Sequence, residues 1–407
     1  MRTQNHNQRS WGFSLSAALL LMCPFDLIAA LGMDMYLPAI PDMPGLLGTT
    51  PKYIQLTLSG YLLLLGAGQL VFGPLSDRVG RRPVLLGGAA GYTLASLGLA
   101  WTRSFLPFVL LRIVESASGA AMVVATFATV RDVYATRKEG SSIYATMSAI
   151  LVFVPALGPF LGATLYEADG VRAIFLTLAV LPALAGLRAL MLWPETRPPE
   201  SKSVRFEHLG IVLRHRAFWT YTLGYGVAMG SFFVYFSIAP GVIIQRHGYS
   251  PLGFSAIFGT VALVLILTSR FAARLVERYG ERGCLARGMA LIMLGAVLLV
   301  GRETMIDHVV GFMLPAWIIA VGIAMTVSVS ANGALASFSE IAGTSTALYY
   351  CTSSIFLVGT GTIAVVLLPA ATAWPLVAYA GLGAVLVLAL LSRHRQREAP
   401  LRDVSPG

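Results

Sequence analysis

The sequence GPLSDRVGRR at residues 73–82 has a counterpart 200 residues later, ARLVERYGER at residues 273–282. In this register Leu75 matches Leu275 and Gly80 matches Gly280, and positions 77, 78 and 82 keep their sign of charge. Chance similarity between two Arg-rich loops is the simple alternative, but five positions in register weigh against it. The repeat predicts two halves of the chain that share one order and orientation of elements.

Long apolar segments flank both loops. Of the 407 residues, 56% are hydrophobic and 12% are charged, whereas a soluble domain carries about 25% charged residues. A membrane span needs about 20 apolar residues. Twelve segments qualify: 12–35, 53–75, 84–102, 105–129, 143–166, 172–193, 217–240, 252–273, 284–301, 309–331, 344–369 and 374–392.

These segments predict an all-α membrane protein with twelve transmembrane helices, arranged as two parallel-related six-helix bundles. The predicted divisions are an N-terminal bundle at 1–193, a polar connector at 194–216, a C-terminal bundle at 217–393 and a tail at 394–407. Parallel repeats of this kind place a substrate site near the bilayer midplane, reached alternately from each side.

Lysine and arginine positions predict the orientation. Most of the 29 such residues fall in segments on the side that also holds both termini, and positive residues concentrate on the cytoplasmic side of a membrane. We therefore expect both termini and the connector in the cytoplasm of a bacterial cell, with the chain in its cytoplasmic (inner) membrane. The net charge of +10 then reflects topology, and no basic soluble domain indicates a nucleic-acid partner.

Several motifs resemble one known family. GPLSDRVGRRPVLLGG resembles the signature loop of the major facilitator superfamily, and VPALGPFLGA at 154–163 resembles the Gly-Pro motif of its drug:proton antiporters. LLRIVESASGA at 110–120 resembles their fourth-span motif, with Glu115 and Ser116 where the family often has Gln-Gly. Segments such as PFDLIAALGMDMYLPAIPDMP and MGSFFVYFSIAPG are similar to the phenicol exporters near the Bcr/CflA type. The resemblance implies the major facilitator fold and export of chloramphenicol and florfenicol.

The signature loop is predicted to act as a conformational latch. An acid in a tight loop can accept backbone N–H groups at a helix N-terminus, and the resemblance implies that Asp77 latches the two halves when the outer side is open. The arginines are expected to pair with acids or lipid phosphates, or simply to anchor the loop inside. The predicted latch comprises Gly73, Asp77, Arg78, Gly80, Arg81 and Arg82.

Four charged residues lie inside predicted spans: Asp26, Asp34, Arg112 and Glu115. Such residues are rare and usually functional in membranes. Asp26 and Arg112 each lie about 10 Å below the outer face, which predicts a contact between them, either direct or through water or substrate. The pair can serve proton coupling or hold two helices together. Asp34 is either a second proton site or a wetted helix-end acid, and Glu115 is either a proton site or an i,i+3 partner of Arg112.

Helix breakers and aromatic residues complete the candidate site. The fifth span holds Pro155, Gly158, Pro159 and Gly162, which predict a bent, gate-forming helix rather than ordinary packing. Aromatic side chains concentrate in the seventh span, and two tyrosines, Tyr349 and Tyr350, occur in the eleventh. We expect Tyr235, Phe236 and Tyr349 to line a drug pocket.

These features predict a monomeric, proton-coupled exporter of phenicol-type drugs whose partners are the small-molecule drug, protons and the lipid bilayer. The sequence holds no enzyme motif and no ATP-binding motif, so we expect a proton gradient as the energy source, no cofactor and no metal site. A broader multidrug exporter is an alternative. A nutrient symporter or facilitator on the same fold is another, because fold alone does not determine the substrate.

Overall fold

The computed structural model describes residues 11–134, 140–197, 209–305, 307–338, 342–369 and 371–398. Throughout these ranges the regular structure is helical. The α-helices are α1 (Leu15–Asp34), α2 (Met43–Leu47), α3 (Pro51–Val79), α4 (Arg81–Trp101), α5 (Phe105–Tyr134), α6 (Gly140–Leu151), α7 (Val154–Leu192), α8 (Leu209–Leu213), α9 (Arg216–Pro240), α10 (Pro251–Arg270), α11 (Ala272–Met305), α12 (Val309–Leu335), α13 (Ala342–Leu367) and α14 (Trp374–Glu398). A 3₁₀ turn covers Leu37–Ala39, and a π-helical turn covers Gly241–Arg246.

Eleven helices of the described chain are long and apolar enough to cross a membrane. These eleven helices account for the twelve predicted spans because α7 contains parts of two spans. It is 39 residues long and non-helical at Asp169 and Gly170. Its second half corresponds to the predicted sixth span. The predicted fifth span comprises α6 and the first half of α7, with a break at Val152 and Phe153. The predicted all-α, two-bundle architecture is confirmed.

The chain divides into two compact units. Unit 1 comprises Met1–Ser203 and Ser250–Gly259, and unit 2 comprises Val204–Tyr249 and Thr260–Gly407. Unit 1 thus holds α1–α7 and the first half of α10, and unit 2 holds the other helices. The predicted boundaries at 193 and 217 stay a prediction, since residues 198–208 of the connector and most of the tail lie outside the described residues.

Small residues set the helix spacing in unit 2. A Cβ atom at Gly288 of α11 would lie 2.8 Å from the carbonyl oxygen of Gly322 in α12, and one at Gly322 would lie 2.6 Å from the carbonyl oxygen of Gly288. Helices in a membrane gain stability from such close packing, because lipid is as apolar as the side chains. The central helix α9 is enclosed by its neighbours, with 78% of its most apolar stretch buried.

The two repeated loops are alike in structure as well as in sequence. Gly80 (φ +122°) and Gly280 (φ +67°) both adopt positive φ angles, which favour glycine because it lacks a Cβ atom. Nη2 of Arg82 donates to the carbonyl oxygen of Leu190 at 2.7 Å, and Nη2 of Arg282 donates to that of Leu391 at 2.7 Å. Each arginine therefore ties its loop to the C-terminal part of the last long helix of its own half.

Candidate functional site

Asp26 lies inside α1 of unit 1 and is 5% exposed. Its Oδ2 atom is buried and has no hydrogen-bond partner among the described residues. Pro24 lies two residues earlier in the same helix. An unpaired carboxylate in this position is costly, because an ionised acid at the centre of a membrane helix costs about 2.5–3.5 kcal/mol on insertion scales.

The direct contact predicted between Asp26 and Arg112 is not formed. Arg112 of α5 is 2% exposed, and its Nη1 donates to Oε2 of Glu115 at 2.6 Å and to the carbonyl oxygen of Gly32 at 3.1 Å. Gly32 lies about 9 Å beyond Asp26 along α1. The two residues share a depth in the sequence-based estimate, but the arginine side chain contacts the C-terminal part of α1 at Gly32 and not Asp26.

Glu115 is fully buried and pairs with Arg112 one turn earlier in α5. The predicted i,i+3 pair is confirmed. The other oxygen of Glu115, Oε1, accepts from Oγ of Ser96 in α4 at 2.9 Å. Both carboxylate oxygens therefore have a donor, whereas Nε and Nη2 of Arg112 are buried without a hydrogen-bond partner among the described residues.

Aromatic rings enclose the arginine of this pair. The guanidinium carbon of Arg112 lies 4.3 Å from the ring centroid of Tyr61 and 5.1 Å from that of Tyr36. Such cation–π contacts stabilise a desolvated cation. The hydroxyl of Tyr61 donates to the carbonyl oxygen of Ala29 at 2.8 Å, and that of Tyr92 lies 3.3 Å from the hydroxyl of Tyr61. Tyr61, Tyr92 and Arg112 thus hold the segment of α1 between Asp26 and Asp34.

Sequence reasoning did not identify Tyr61 and Tyr92 as parts of the site. The sequence does hold a signal for them. Tyrosines in membrane proteins are enriched at the two membrane interfaces, whereas Tyr61 and Tyr92 lie deep within their predicted spans. Tyrosines at that depth need hydrogen-bond partners, and here the partners are carbonyl groups of α1.

Asp34 ends α1 and is 7% exposed. The alternative of a wetted helix-end acid is therefore wrong. Two glycines of α7 make room for this end of α1: a Cβ atom at Gly158 would lie 2.5 Å from Cβ of Asp34, and one at Gly162 would lie 2.1 Å from the carbonyl oxygen of Met35. The predicted gate helix thus packs directly against the second acid.

The bend of the predicted gate helix lies just before Pro155. The helix α7 begins at Val154, so Pro155 occupies its first turn, where a missing N–H group has no cost. Pro159 lies inside the helix, and its carbonyl oxygen accepts from Oγ of Ser255 at 2.9 Å. The helix is thus interrupted at Val152 and Phe153, just before the predicted helix breakers, and the role of this segment as a gate stays a prediction.

The predicted latch is built around Arg81, which is 1% exposed. Its Nη1 lies 2.6 Å from Oδ1 of Asp77, and its Nε donates to Oδ2 of Asp132 at 2.7 Å. The expectation that Asp77 accepts backbone N–H groups is not met, because Glu195 does so. Glu195 accepts from the backbone N–H groups of Arg81 at 2.8 Å and Arg82 at 3.1 Å. Asp77 is left to pair with the arginine side chain.

The other predicted latch residues differ in their surroundings. Arg78 has an exposed side chain, and its carbonyl oxygen accepts from the guanidinium of Arg197. A Cβ atom at Gly73 would meet no atom within 4 Å. Glu195 and Asp132 were missed because both are remote in sequence from the loop. The signal for Glu195 is its place in PETRP, directly after the sixth predicted span.

The aromatic residues predicted for a drug pocket are buried in unit 2. Tyr235 is 2% exposed and stacks on Phe312 at a centroid distance of 5.7 Å. Phe236 is 3% exposed, and Tyr349 is fully buried within a hydrophobic cluster that includes Phe218 and Phe338. The structure does not bring these three side chains together at one surface.

Among the residues that the structure describes, no group of three or more His, Cys, Asp or Glu side chains is arranged to hold a metal ion. The cysteines Cys23 and Cys284 are buried, and Cys351 is partly buried. Within the described chain, the candidate functional groups are therefore the acids of α1 (Asp26 and Asp34), the Arg112–Glu115 pair of α5 and the network around Arg81.

Known proteins are similar to this chain in sequence. The family model of the Major Facilitator Superfamily matches residues 26–360. A chloramphenicol resistance protein of Pseudomonas aeruginosa is 49% identical over 382 residues, which cover 94% of this chain and 91% of that protein. A bicyclomycin resistance protein homolog of Haemophilus influenzae is 26% identical over 84% of this chain and 86% of its own length. The multidrug transporter MdfA of Edwardsiella ictaluri is 27% identical over 73% of this chain and 72% of its own length.

Proposed function

Because this chain belongs to the Major Facilitator Superfamily, we propose that it exports chloramphenicol and related phenicols across the bacterial cytoplasmic membrane in exchange for protons. The observation that carries the substrate is the 49% identity to a chloramphenicol resistance protein over 94% of the chain. The export is driven by the proton gradient and needs no cofactor. The functional unit is a monomer with both termini in the cytoplasm.

The proton is carried by Asp26. Its carboxylate is buried and has no counter-ion among the described residues, so the charged form lacks the partner that would offset its burial. A protonated, neutral Asp26 suits this environment. A change of the surroundings that admits water or a polar drug group favours release of the proton.

Asp34 is the second carboxylate of the coupling site. It lies at the end of α1 against Gly158 of the gate helix, so a movement of α7 changes its access to water. The segment between the two acids is held by donors from Tyr61, Tyr92 and Arg112. A shift of α5 therefore moves this segment of α1 and alters the surroundings of both acids together.

Arg112 and Glu115 act as a neutral pair in the resting arrangement. Because Glu115 compensates the guanidinium, the positive charge of Arg112 does not hold Asp26 in its ionised form. A polar drug group that displaces one contact of Arg112 accepts a hydrogen bond from the guanidinium N–H group that is thereby freed. In this way the pair links drug binding to the proton site without direct contact with Asp26.

The network around Arg81 stabilises one conformational state of unit 1. It joins the loop between α3 and α4 to α5 through Asp132 and to the segment after α7 through Glu195. Alternating access requires the inner ends of these helices to separate or close as bodies. Breaking the network shifts the balance between states and leaves the proton and drug sites intact.

A broader multidrug exporter is the second candidate. Relatives that are named for bicyclomycin resistance and multidrug transport match at 26% and 27% identity. Both candidates use the same proton site, so they differ only in the range of drugs that unit 2 accepts. Transport assays with several drug classes separate the two.

The first test follows retention of radiolabelled chloramphenicol in drug-sensitive cells that express the protein, with and without a protonophore. Wild-type cells are expected to retain less label than empty cells, and the protonophore and Asp26→Asn should each abolish this difference. Glu167→Gln, which changes an exposed acid of the same unit, serves as the matched control and should export normally. Equal retention in expressing and empty cells would refute phenicol export.

A further inference from the structure

Helix α9 has one accessible stripe. Between Gly224 and Pro240 every side chain is buried except Tyr225, Met229 and Phe232, which are partly exposed. These three residues are spaced by four and three positions, so they lie on one face of the helix. Tyr221, one turn before Tyr225, continues the same stripe and is also partly exposed. A helix enclosed on its other sides thus presents a row of large, polarisable side chains.

Tyr350 of α13 is exposed on a different face from the main exposed stripe of that helix. Along α13, Ile355, Ile363 and Leu367 are exposed at helical spacing, which is the pattern of a lipid-facing stripe. Tyr350 is 50% exposed, yet it precedes Ile355 by five positions, about 140° around the helix. Its exposure therefore belongs to a different face, which contacts α9.

Ring contacts join the two helices at this point. The ring centroids of Tyr225 and Tyr350 are 6.3 Å apart at an interplanar angle of 86°. Behind them, the buried Tyr349 lies 5.4 Å from Tyr225 and 5.1 Å from Tyr350. The contacts of Tyr350 with Tyr225 and Tyr349 are edge-to-face, and the contact between Tyr225 and Tyr349 is tilted at 54°. Ring contacts at these distances are favourable and hold the rings in fixed orientations. Tyr349 is thus a support, and Tyr225 and Tyr350 form the accessible layer.

A glycine admits the remaining tyrosine of the stripe. A Cβ atom at Gly333 of α12 would lie 2.5 Å from three ring carbons of Tyr221. The ring of Tyr221 therefore lies flat against the backbone of α12. Both ends of this aromatic layer are fixed by packing, which lowers the entropic cost of binding a flat ligand to it.

We propose that Tyr225, Met229, Phe232 and Tyr350 form the surface of unit 2 on which the aromatic ring of the exported drug lies. We name these four residues the aromatic platform. This inference rests on the proposed function and identifies the drug contacts within it. Tyrosine rings supply apolar area together with hydroxyl groups, and methionine adapts to irregular shapes. The platform suits a neutral aromatic ring that carries polar substituents.

The platform replaces the pocket residues that the sequence suggested. Tyr235, Phe236 and Tyr349 are at most 3% exposed, so a drug would reach them only after unit 2 repacked. Without any such change, Tyr225 is partly exposed and Tyr350 is 50% exposed. Drug sites are commonly lined by aromatic groups with a few polar atoms, and two tyrosine rings beside a methionine and a phenylalanine fit this composition.

Equilibrium binding of radiolabelled chloramphenicol to the purified full-length protein in lipid nanodiscs tests the platform. Tyr225→Ala and Tyr350→Ala should each raise Kd about tenfold, since each removes one ring from the drug contact. Tyr225→Phe and Tyr350→Phe keep the rings and should have smaller effects. Tyr249→Ala removes a tyrosine that is 37% exposed beyond the end of α9, and it should bind as the wild type does.

The outcomes separate this inference from the proposed function. Wild-type affinity in both alanine variants, with tight binding by the wild-type protein, would overturn the platform and leave phenicol export standing. No binding by the wild-type protein would overturn both proposals. Tyr349→Phe changes the buried support, and a loss of affinity there equal to that in Tyr225→Ala would also contradict the assignment of the accessible layer.

Cysteine labelling provides a second measurement that does not depend on affinity. In a variant whose three native cysteines are replaced by alanine, single cysteines at positions 225, 350 and 355 are treated with a water-soluble maleimide. Thiols react as thiolates, which form in water and not in lipid. We expect labelling at 225 and 350 that chloramphenicol slows, and none at 355. Equal labelling at 350 and 355, or no protection by the drug, would overturn the platform.

Discussion

The two units differ in where they bury charge. Within the part of unit 1 that the structure describes, five charged residues are buried: Asp26, Asp34, Arg81, Arg112 and Glu115. Among the described residues of unit 2, the buried charged residue is Arg302, in the last turn of α11. It pairs with Glu303 and with Asp307 at 3.2 Å. Unit 1 thus keeps acids within its helices, whereas unit 2 confines charge to a helix end.

This difference separates two tasks. A paired charge at a helix end holds loops together, and a buried acid without a counter-ion stabilises nothing in its charged form. Asp26 is therefore better explained by proton transfer than by structure. The uncharged interior of α9 and α13 suits a neutral drug. We infer that unit 1 carries the proton and that unit 2 contributes the ring contacts of the drug.

The largest expected effect is that of breaking the buried pair in unit 1. Arg112→Met leaves Glu115 ionised and fully buried, and removing one partner of such a pair costs roughly 3–5 kcal/mol. We expect a lower unfolding temperature and loss of drug resistance. The double variant Arg112→Met/Glu115→Gln should recover most of the stability. Thermal unfolding of the purified proteins measures both.

The matched change in unit 2 is Arg302→Met. Glu303 keeps Arg246, whose Nη1 lies 2.9 Å from its Oε2, and it also keeps the backbone N–H of Ala373 at 2.7 Å. We therefore expect Arg302→Met to lower the unfolding temperature less than Arg112→Met does. Equal decreases of the unfolding temperature in Arg302→Met and Arg112→Met would contradict the proposed difference between the units.

The next effect concerns the contact between α7 and α1. Gly162→Ala places a Cβ atom against the carbonyl oxygen of Met35, and overpacking of this kind costs about 1–3 kcal/mol. Export should slow because α7 is forced away from Asp34. Gly359→Ala in α13, where a Cβ atom meets nothing within 4 Å, is the control. Equal transport rates in both variants would contradict the role of α7 as a gate helix.

A smaller effect distinguishes the two repeated loops. Glu195→Ala removes the acceptor of the N–H groups at the start of α4, and loss of such a cap costs about 1 kcal/mol. Glu277 of the matching loop is exposed, so Glu277→Ala should leave stability and export unchanged. Chloramphenicol efflux rates and unfolding temperatures are compared for the two variants. A loss in Glu277→Ala equal to that in Glu195→Ala would show that the loops have the same role.

The smallest effect is a pH dependence at His247, which follows the π-helical turn of unit 2. Partial burial and the neighbouring guanidinium of Arg302 lower the pKa of His247 below its ordinary value of 6.5, with Asp307 opposing and Arg246 and His308 adding to the shift. The unfolded chain therefore takes up the proton more readily than the folded protein does. The stability that neutral His247 contributes to the fold is fully present above its unfolded pKa, and it is lost as the pH falls through the folded pKa.

Unfolding temperatures of wild-type protein and His247→Gln at about pH 7 and about pH 5, the range in which histidine titrates, test this sign. The glutamine variant should lose less stability on acidification than the wild-type protein. An equal or larger loss in the variant would contradict the assignment to His247. The comparison between units predicts only a change in stability, with proton coupling preserved.

The sequence predicted the fold and the charged residues of the site well. Apolar runs define the spans because lipid requires about 20 such residues in a helix. Asp26, Asp34, Arg112 and Glu115 are conspicuous because charges are rare in these runs. The break before Pro155 follows equally from local chemistry.

Pairing and exposure were harder to predict. Counting residues along α1 and α5 gives depth, but it does not give rotation about each axis, so the estimate joined Arg112 to Asp26 and missed its contact with Gly32. The pairing of Arg112 with Glu115 could be predicted, because the two residues are three positions apart on one helix. Glu195 is far in sequence from the loop that it caps. The density of aromatic residues pointed to Tyr235 and Phe236, whereas only the packing of α9 shows that Tyr225 is the accessible ring.

The most direct test of the division between the units uses proteoliposomes that contain wild-type protein or Asp26→Asn. Drug exchange without a gradient is compared with drug accumulation that an imposed pH gradient drives. We expect the wild-type protein to perform both, and Asp26→Asn to keep exchange and lose gradient-driven accumulation. Loss of exchange and accumulation together in Asp26→Asn, or full accumulation by that variant, would contradict the assignment of the proton to Asp26 of unit 1.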